Sequence, residues 1–419
     1  MRITFDPIAV HPAGRRARPL GLLAGTRRTA ALAILALTAA GLPAPAGAAI
    51  VGHQIFVWTE TWGTAQQQAI AVGPWQGETL RMVARSSIGG SQFRIDLSNP
   101  YATSTAQFGQ VTIGIQASGA TTVGTPVTAT FAGSESVTLA PGASVSSDPI
   151  ALAIPPDTRV LVSLYIPPGA DITSAPEHEM ANETEYNDNG GNAAGDAAFP
   201  VSNTFGFTSY LTGIDVYPTA PEAVVAVGDS ITDGYMSTTD ADNRWPDDLA
   251  NRLAGTYRSV VNEGVSATTV TFDEPGVPSI TNRWASDVLD VPGLATVIEA
   301  GGINDLRSGV PAATLEAAQS ALIAQTHTSG FRILLTTLTP CGGGFECTPA
   351  FETQRLAYNA WVRSGASGAD GVIDMDAAVG GYSIGGQDAL MPAYDSGDHL
   401  HPGPAGYAAM ANAVPIGIL

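Results

Sequence analysis

The sequence predicts two folded parts. A β-sandwich or jelly roll is expected over residues 49–217. A doubly wound parallel sheet of five strands with interleaved helices is expected over residues 222–419. Two observations predict this. Short alternating segments punctuated by Gly, Pro, Ser and Asp fill the first part, with no long helical period between them. From residue 222 short apolar runs alternate with helical patterns instead, the signature of a parallel sheet with helices on both faces.

The elements follow in order. In the first part Gln92 to Leu97 alternates, with Phe93, Ile95 and Leu97 on one face. Val111 to Gln116, Val127 to Phe131, Val137 to Leu139, Ile150 to Ile154 and Val160 to Ile166 read as further strands. Residues 178–200 hold Asn182, Asn187, Asp188, Asn189, Gly190, Gly191 and Asn192 and read as a long polar loop, either mobile or overhanging a site. Phe205 to Tyr217 returns to strand, and Pro218 and Pro221 mark the boundary.

In the second part Ala223 to Val227, Ser259 to Val261, Ala295 to Glu299, Ile333 to Leu338 and Val372 to Met375 read as strands. Arg244 to Ala254, Ile280 to Leu289, Ala312 to Thr326, Phe351 to Arg363 and Pro404 to Ala413 read as helices. Sheets of this kind bind ligands beyond the carboxyl ends of their strands.

Four segments sit at such ends: Gly228-Asp229-Ser230-Ile231, Asn262-Glu263-Gly264, Gly302-Ile303-Asn304-Asp305 and Asp398-His399-Leu400-His401-Pro402. A serine hydroxyl needs a base to act as a nucleophile. Of the six histidines, His399 and His401 lie in the carboxy-terminal loop. His401 is the better base for Ser230, because Asp398 three residues earlier reaches its Nδ1 within one turn and leaves Nε2 free. The alternatives for this segment are a solvated loop or a metal pair.

A tetrahedral intermediate also needs donors to its oxyanion. The Ser230 N–H, the Gly264 backbone and the Asn304 amide are the candidates. A turn glycine and a cap before Asp305 are the alternatives for the last two. Asp229, Asp233 and Asp305 are read as structural, since none has a histidine nearby in sequence. His178, Asn192 and Trp62 are possible contributions of the β part to the site, each with a structural role as the alternative.

These blocks resemble the SGNH/GDSL hydrolases: Ser230 in Gly-Asp-Ser-Ile, Gly264 in Asn-x-Gly-x-Ser, Asn304 in Gly-x-Asn-Asp and His401 in Asp-x-x-His-Pro. The resemblance covers residues 222–419. It implies a three-layer α/β/α, flavodoxin-like fold and a serine esterase with Ser230 as nucleophile, His401 as base and Asp398 as third triad member. It also implies an oxyanion hole from Ser230, Gly264 and Asn304. Ile231 replaces the leucine of Gly-Asp-Ser-Leu, which leaves the chemistry unaffected. The Gly-x-Ser-x-Gly elbow of another esterase class is absent around Ser230. Arg244-Trp245-Pro246-Asp247, Tyr394-Asp395-Ser396-Gly397 and Arg94-Ile95-Asp96-Leu97-Ser98-Asn99 look like a secreted bacterial branch of arylesterase or carbohydrate-esterase type.

Composition narrows the setting. Hydrophobic residues make up 44% of 419, enough for sizeable cores, and 47 Gly and 29 Pro suit many turns. Arginines 15, 16, 18, 27 and 28 precede an apolar run from Thr29 to Gly41, and Ala46-Gly47-Ala48 fits a cleavage site, so residues 1–48 read as an export signal. An ordinary secretory route is favoured over the twin-arginine route that Arg27-Arg28 hints at. A secreted or periplasmic protein without a stable membrane anchor is expected. Formal net charge is −20, all the cations are arginine, and removing the signal takes the charge to about −25. Nucleic acid and anionic lipid repel such a chain.

Cys341 and Cys347 are the only cysteines. In an exported chain they are expected to close a small loop, with two free thiols as the alternative. No paired-histidine spacing completes a zinc site with them, and no metal or cofactor is implied.

The expected reaction is hydrolysis of short, above all acetyl, esters of carbohydrates or small alcohols. The alternatives are a lipase or lysophospholipase, an acyltransferase, and a glycan-binding module with an inert hydrolase part. With a histidine base, activity should rise with pH as that ring loses its proton near neutrality.

Overall fold

The computed structural model describes residues 57–219 and 222–419. The expected export signal, its cleavage near Ala48, and Pro221 lie outside them.

Two larger antiparallel sheets make the first part, together with the two-stranded pairs Gln68–Trp75 with Ile172–Glu177 and Ala106–Phe108 with Val137–Leu139. One orders its strands Val57–Gly63, Leu211–Thr219, Gln92–Ser98, Ser144–Ser146. The other runs Asn203–Phe205, Glu185–Asp188, Glu78–Ser86, Thr158–Ile166, Gln110–Ser118, Thr121–Thr122. Leu80, Met82, Val160, Val162 and Val111 from one sheet share a core with Phe93, Ile95, Ile214 and Val216 from the other, which makes a sandwich.

Three local expectations change. Ile150 to Ile154 forms only isolated bridges at Phe93–Ile150 and Gly90–Ile154, because Pro149, Pro155 and Pro156 remove ladder donors around it. In the segment read as Val127 to Phe131, only Val127–Thr128 is strand. The polar segment 178–200 contains the sheet strand Glu185–Asp188, paired to Thr79–Arg81. Its later half wraps the fully buried Arg81, which donates to the carbonyls of Ala120, Ala194 and Asp196 and to Ser163 Oγ. The Phe199 ring lies 4.2 Å from that guanidinium. A buried cation thus gives an otherwise featureless loop its fixed course.

The second part is a five-stranded parallel sheet: Ala223–Gly228, Ser259–Gly264, Leu294–Ala300, Arg332–Thr336 and Gly371–Ile373. Taken in chain order the strands lie 2-1-3-4-5, the flavodoxin-like arrangement. The first is buried throughout, so it reads as a continuous apolar run. Helix Trp245–Arg252 packs with Pro404–Ala413, while Ile280–Trp284, Ala312–Thr328 and Pro349–Arg363 pack in a second row. Right-handed crossovers put the rows on opposite faces. The reversal of strand order between strands 1 and 3 opens the crevice where Ser230 and Asn304 emerge.

The sandwich strand Val57–Gly63 packs against Ser259–Gly264 of the parallel sheet. Ser259 Oγ donates to Glu60 O at 2.6 Å, and Glu60 N donates to Pro292 O at 2.9 Å. This seam is acidic. Glu60 stands opposite Asp215 on the neighbouring strand. Glu60 Oε1 and Glu263 Oε1 lie 2.3 and 2.6 Å from the point a Cβ on Gly63 would occupy. A cavity of about 570 Å³ beside them is lined by Glu60, Asp96, Tyr101, Glu263 and Asp287.

Burial first, then the neighbouring carboxylates, holds Glu60 well above the usual range. Burial likewise raises Glu263, and pushes Asp215 up to about 8 and Asp96 to about 6. Such acids bind protons more tightly folded than unfolded. Their stabilisation is therefore full below the unfolded carboxylate value and is lost as pH rises through the folded one. Glu60→Gln keeps the shape and removes a charge. It should raise Tm at pH 8 and change it little at pH 4, as read by calorimetry across that range. A lower Tm at pH 8 would contradict the repulsion.

Candidate active site

The first strand ends at Gly228, and its chain turns at once into the short helix Ser230–Asp233. Only glycine fits the turn: a Cβ on Gly228 would meet Thr232 Oγ1 at 2.3 Å. Asp229 caps the helix, accepting from Ile231 N at 3.0 Å. Burial pushes its carboxyl up to about 7, against the pull of that hydrogen bond. Ser230 is thereby held at the carboxyl end of the sheet with its backbone N–H unpaired among the described residues.

The carboxy-terminal loop brings His401 to it. Ser230 Oγ and His401 Nε2 are 2.9 Å apart, and His401 Nδ1 is 2.6 Å from Asp398 Oδ2. Asp398 Oδ1 accepts the Leu400 N–H and His401 N–H at 2.9 and 2.8 Å, closing the one-turn geometry. Burial works to raise the Asp398 carboxyl, but the hydrogen bonds from His401 and Leu400 outweigh it and hold it below the usual range. Burial dominates at His401 and lowers its pKa below the ordinary imidazole value, with Asp398 opposing. The Tyr235 ring stands edge-on to the His401 ring at 4.6 Å.

His399 is paired elsewhere: its Nδ1 lies 2.5 Å from Asp395 Oδ2. Cys341 and Cys347 are disulfide-bonded with a Cα–Cα distance of 5.9 Å. The loop they close touches this segment, since a Cβ on Gly343 would come within 3.4 Å of the His399 ring.

The expected oxyanion donors divide. Asn304 opens onto the site: its Nδ2 donates to Thr268 O at 2.9 Å, and its Oδ1 accepts from Arg307 at 3.2 Å. That fixes the amide and leaves its second N–H available. Gly264 is corrected. Its N–H is donated to Asn262 Oδ1 at 3.0 Å, and a Cβ there would sit 2.2 Å from Asp233 N. Glycine is needed at 264 for the helix to lie against the strand end, and its N–H has no capacity left for an oxyanion.

The free backbone N–H in that region is that of Ala267. It is exposed, holds φ +65, and its N–H is unpaired among the described residues. Ser266 on one side donates its N–H and Oγ to Asp233 Oδ2 at 2.9 and 2.6 Å. Thr268 on the other side is held by Asn304. Asp305 ties down the next stretch, accepting from Val270 N and Thr271 N at 2.7 and 2.9 Å. Ala267 therefore lies between the Ser230 helix and Asn304. A left-handed alanine leaves no mark in the residue pattern, so sequence reasoning passed over it.

The β part does reach this neighbourhood. His178 Nε2 is 3.2 Å from Asp233 Oδ1, and Asn182 Nδ2 donates to Asp233 O at 3.1 Å. Asn192 instead bonds Gln110, at 2.9 Å within the sandwich. Trp62 packs against the sandwich core. No group of three or more His, Cys, Asp or Glu side chains arranged to hold a metal occurs among the described residues.

The second part is thus a flavodoxin-like sheet with a serine at its switch point. Residues 226–409 match the GDSL-like Lipase/Acylhydrolase family, which places this part of the chain broadly in the GDSL/SGNH esterase and lipase superfamily and carries with it a carboxylic-ester hydrolase function. No curated protein matches the chain.

Several solved structures are similar to about half of the chain. An acetyl xylan esterase from Geobacillus stearothermophilus is 24% identical, covering 48% of this chain and 95% of its own, with a TM-score of 0.36. A carbohydrate acetylesterase from Sinorhizobium meliloti is 19% identical over 46% and 95%, at 0.36. A GDSL-like lipase from Bacteroides thetaiotaomicron is 18% identical over 47% and 88%, at 0.38.

Proposed function

We propose that the chain is an exported serine esterase of the arylesterase or carbohydrate-esterase kind, removing short acyl groups, acetyl foremost, from carbohydrates or small alcohols. The observation that carries the esterase reading is the unbroken run of hydrogen bonds from Ser230 Oγ through His401 to Asp398.

In this reading Ser230 Oγ attacks the ester carbonyl while His401 Nε2 takes its proton. The resulting oxyanion receives the N–H groups of Ser230 and Ala267 and the free Asn304 N–H. His401 returns the proton to the departing alcohol, and the acyl group stays on Ser230. Water, deprotonated by His401, attacks the acyl-enzyme and frees the acid and the serine. Asp398 holds the imidazole with its Nδ1–H inward and balances the imidazolium that forms twice per cycle.

The small-ester preference rests on polar surroundings. Ser266 bonds Asp233 of the serine helix, Arg307 bonds Asn304, and Tyr235, 40% exposed beside His401, is an aromatic side chain of the kind sugars stack on. No helix among the described residues is long and apolar enough to cross a membrane. The amino-terminal signal pattern supports export.

The test is a turnover series from p-nitrophenyl acetate to palmitate, with acetylated xylan in parallel. Highest kcat/KM at acetyl, with acetate released from xylan, is expected. A maximum at long chains would replace this reading with a lipase. Retention on a glycan matrix without any turnover would leave a binding module.

A further inference from the structure

His178 sits on the sandwich and is 3% exposed. Its backbone is held twice by Thr208, with N and O each bonded at 2.9 and 3.0 Å. Both ring nitrogens face oxygen acceptors. Nδ1 lies 2.8 Å from Ala65 O. Nε2 lies 3.1 Å from Met180 O and 3.2 Å from Asp233 Oδ1. A carbonyl oxygen has no proton to give, so Nδ1 carries one. A bare Nε2 would point its lone pair at the Met180 carbonyl, so it carries one as well. The other Asp233 oxygen already accepts two donors from Ser266, as a carboxylate does. These contacts suit a doubly protonated imidazole beside a carboxylate, both buried.

Asp233 is the last residue of the helix that begins with Ser230. One carboxylate therefore joins three pieces: the sandwich through His178, the nucleophile helix through its own backbone, and the Ser266–Ala267 turn through Ser266. We propose that His178 is a positioning residue of the esterase site, an imidazolium supplied by the sandwich that fixes Asp233 and, through it, the spacing between Ser230 and the Ala267 N–H. The proposal rests on the serine-esterase reading above. It makes the sandwich a working part of the site.

The charge state fits its surroundings. Burial works to neutralise His178, but the Asp233 carboxylate and the Ala65 carbonyl outweigh it and hold the ring above its ordinary value, with Arg244 opposing. Glu177, the last residue of the strand Ile172–Glu177, precedes it, and Arg85, Glu183, Asp242 and Arg244 line the small cavity beside it. A raised imidazole value means the clasp is complete at low pH and is lost as pH rises through that value. His401 gives the opposite limb, gaining activity as it deprotonates. The two histidines bound the active range from either side.

The test begins on the intact mature protein, with ring ¹⁵N spectra of its histidines beside kcat between pH 5 and 10. His178 is expected to carry two ring protons at pH 7 and to lose one in step with an alkaline fall in kcat. His178→Gln should lower kcat roughly 10- to 100-fold with KM within about twofold, since misplacement acts on the transition state. It should also erase the alkaline limb and keep the acid one. A single ring proton on His178 at pH 7, or a variant with wild-type kcat and alkaline limb, would overturn the proposal. If the variant does not fold, the wild-type spectra and profile decide alone. Absence of any Ser230-dependent turnover would strike the esterase reading instead, and the ring spectra would still report the His178 charge.

Discussion

Ser230→Ala is expected to lower kcat on p-nitrophenyl acetate by roughly 10⁶-fold, with the protein folded and the Tm close to wild type. The side chain is half-buried at the start of a four-residue helix, and its Oγ has His401 Nε2 as partner at 2.9 Å. Removing one hydroxyl there opens no core cavity. What goes is the atom that must bond to the acyl carbon. Residual turnover by the oxyanion donors alone would remain some 10³- to 10⁴-fold above water. Undiminished hydrolysis in this variant would mean that another group attacks the ester.

Asp398→Asn should cost about 10⁴-fold in kcat while leaving the loop in place. An asparagine amide at that position donates to His401 Nδ1, where the carboxylate accepts from it. The ring then takes the other tautomer and presents an N–H to Ser230 Oγ, so it cannot accept the proton. Because the fault lies in the tautomer, raising the pH does not restore activity. In the wild type the acid limb should fall below the ordinary imidazole value of 6.5, since burial lowers His401 despite Asp398. Steady-state kinetics from pH 5 to 9 on both proteins check this, and a loss under tenfold would remove Asp398 from the mechanism.

Much of the architecture is legible in the sequence for simple reasons. Parallel strands buried on both faces read as apolar runs, as Val224 to Val227 does, and Gly228 ends the run where the chain must turn tightly. Gln92–Ser98 alternates because one face meets the core and the other does not. Asp398 and His401 are three residues apart, so a local turn suffices to join them.

What escaped depends on distant partners. Glu78–Ser86 is buried along nearly its whole length, so it shows no alternation. Glu185–Asp188 has hardly any apolar residues and is a strand only because Thr79–Arg81 lies beside it. At the site, a glycine was the natural oxyanion donor on sequence, yet Gly264 is taken up by Asn262 and by helix packing. Ala267 gained the free N–H by adopting φ +65, which its neighbours impose. Asp233 has no histidine near it in sequence, and its partner His178 comes from 55 residues away on the other part of the chain.

In the proposed mechanism Ser230 forms a covalent acyl-enzyme. A p-nitrophenyl phosphonate ester tests it most directly, because attack by the activated serine releases p-nitrophenolate and leaves the phosphonyl group on Oγ. One equivalent of p-nitrophenolate per chain is expected, with loss of esterase activity in parallel and the added mass on Ser230. Label on a different residue, or full inactivation with Ser230 unmodified, would contradict it.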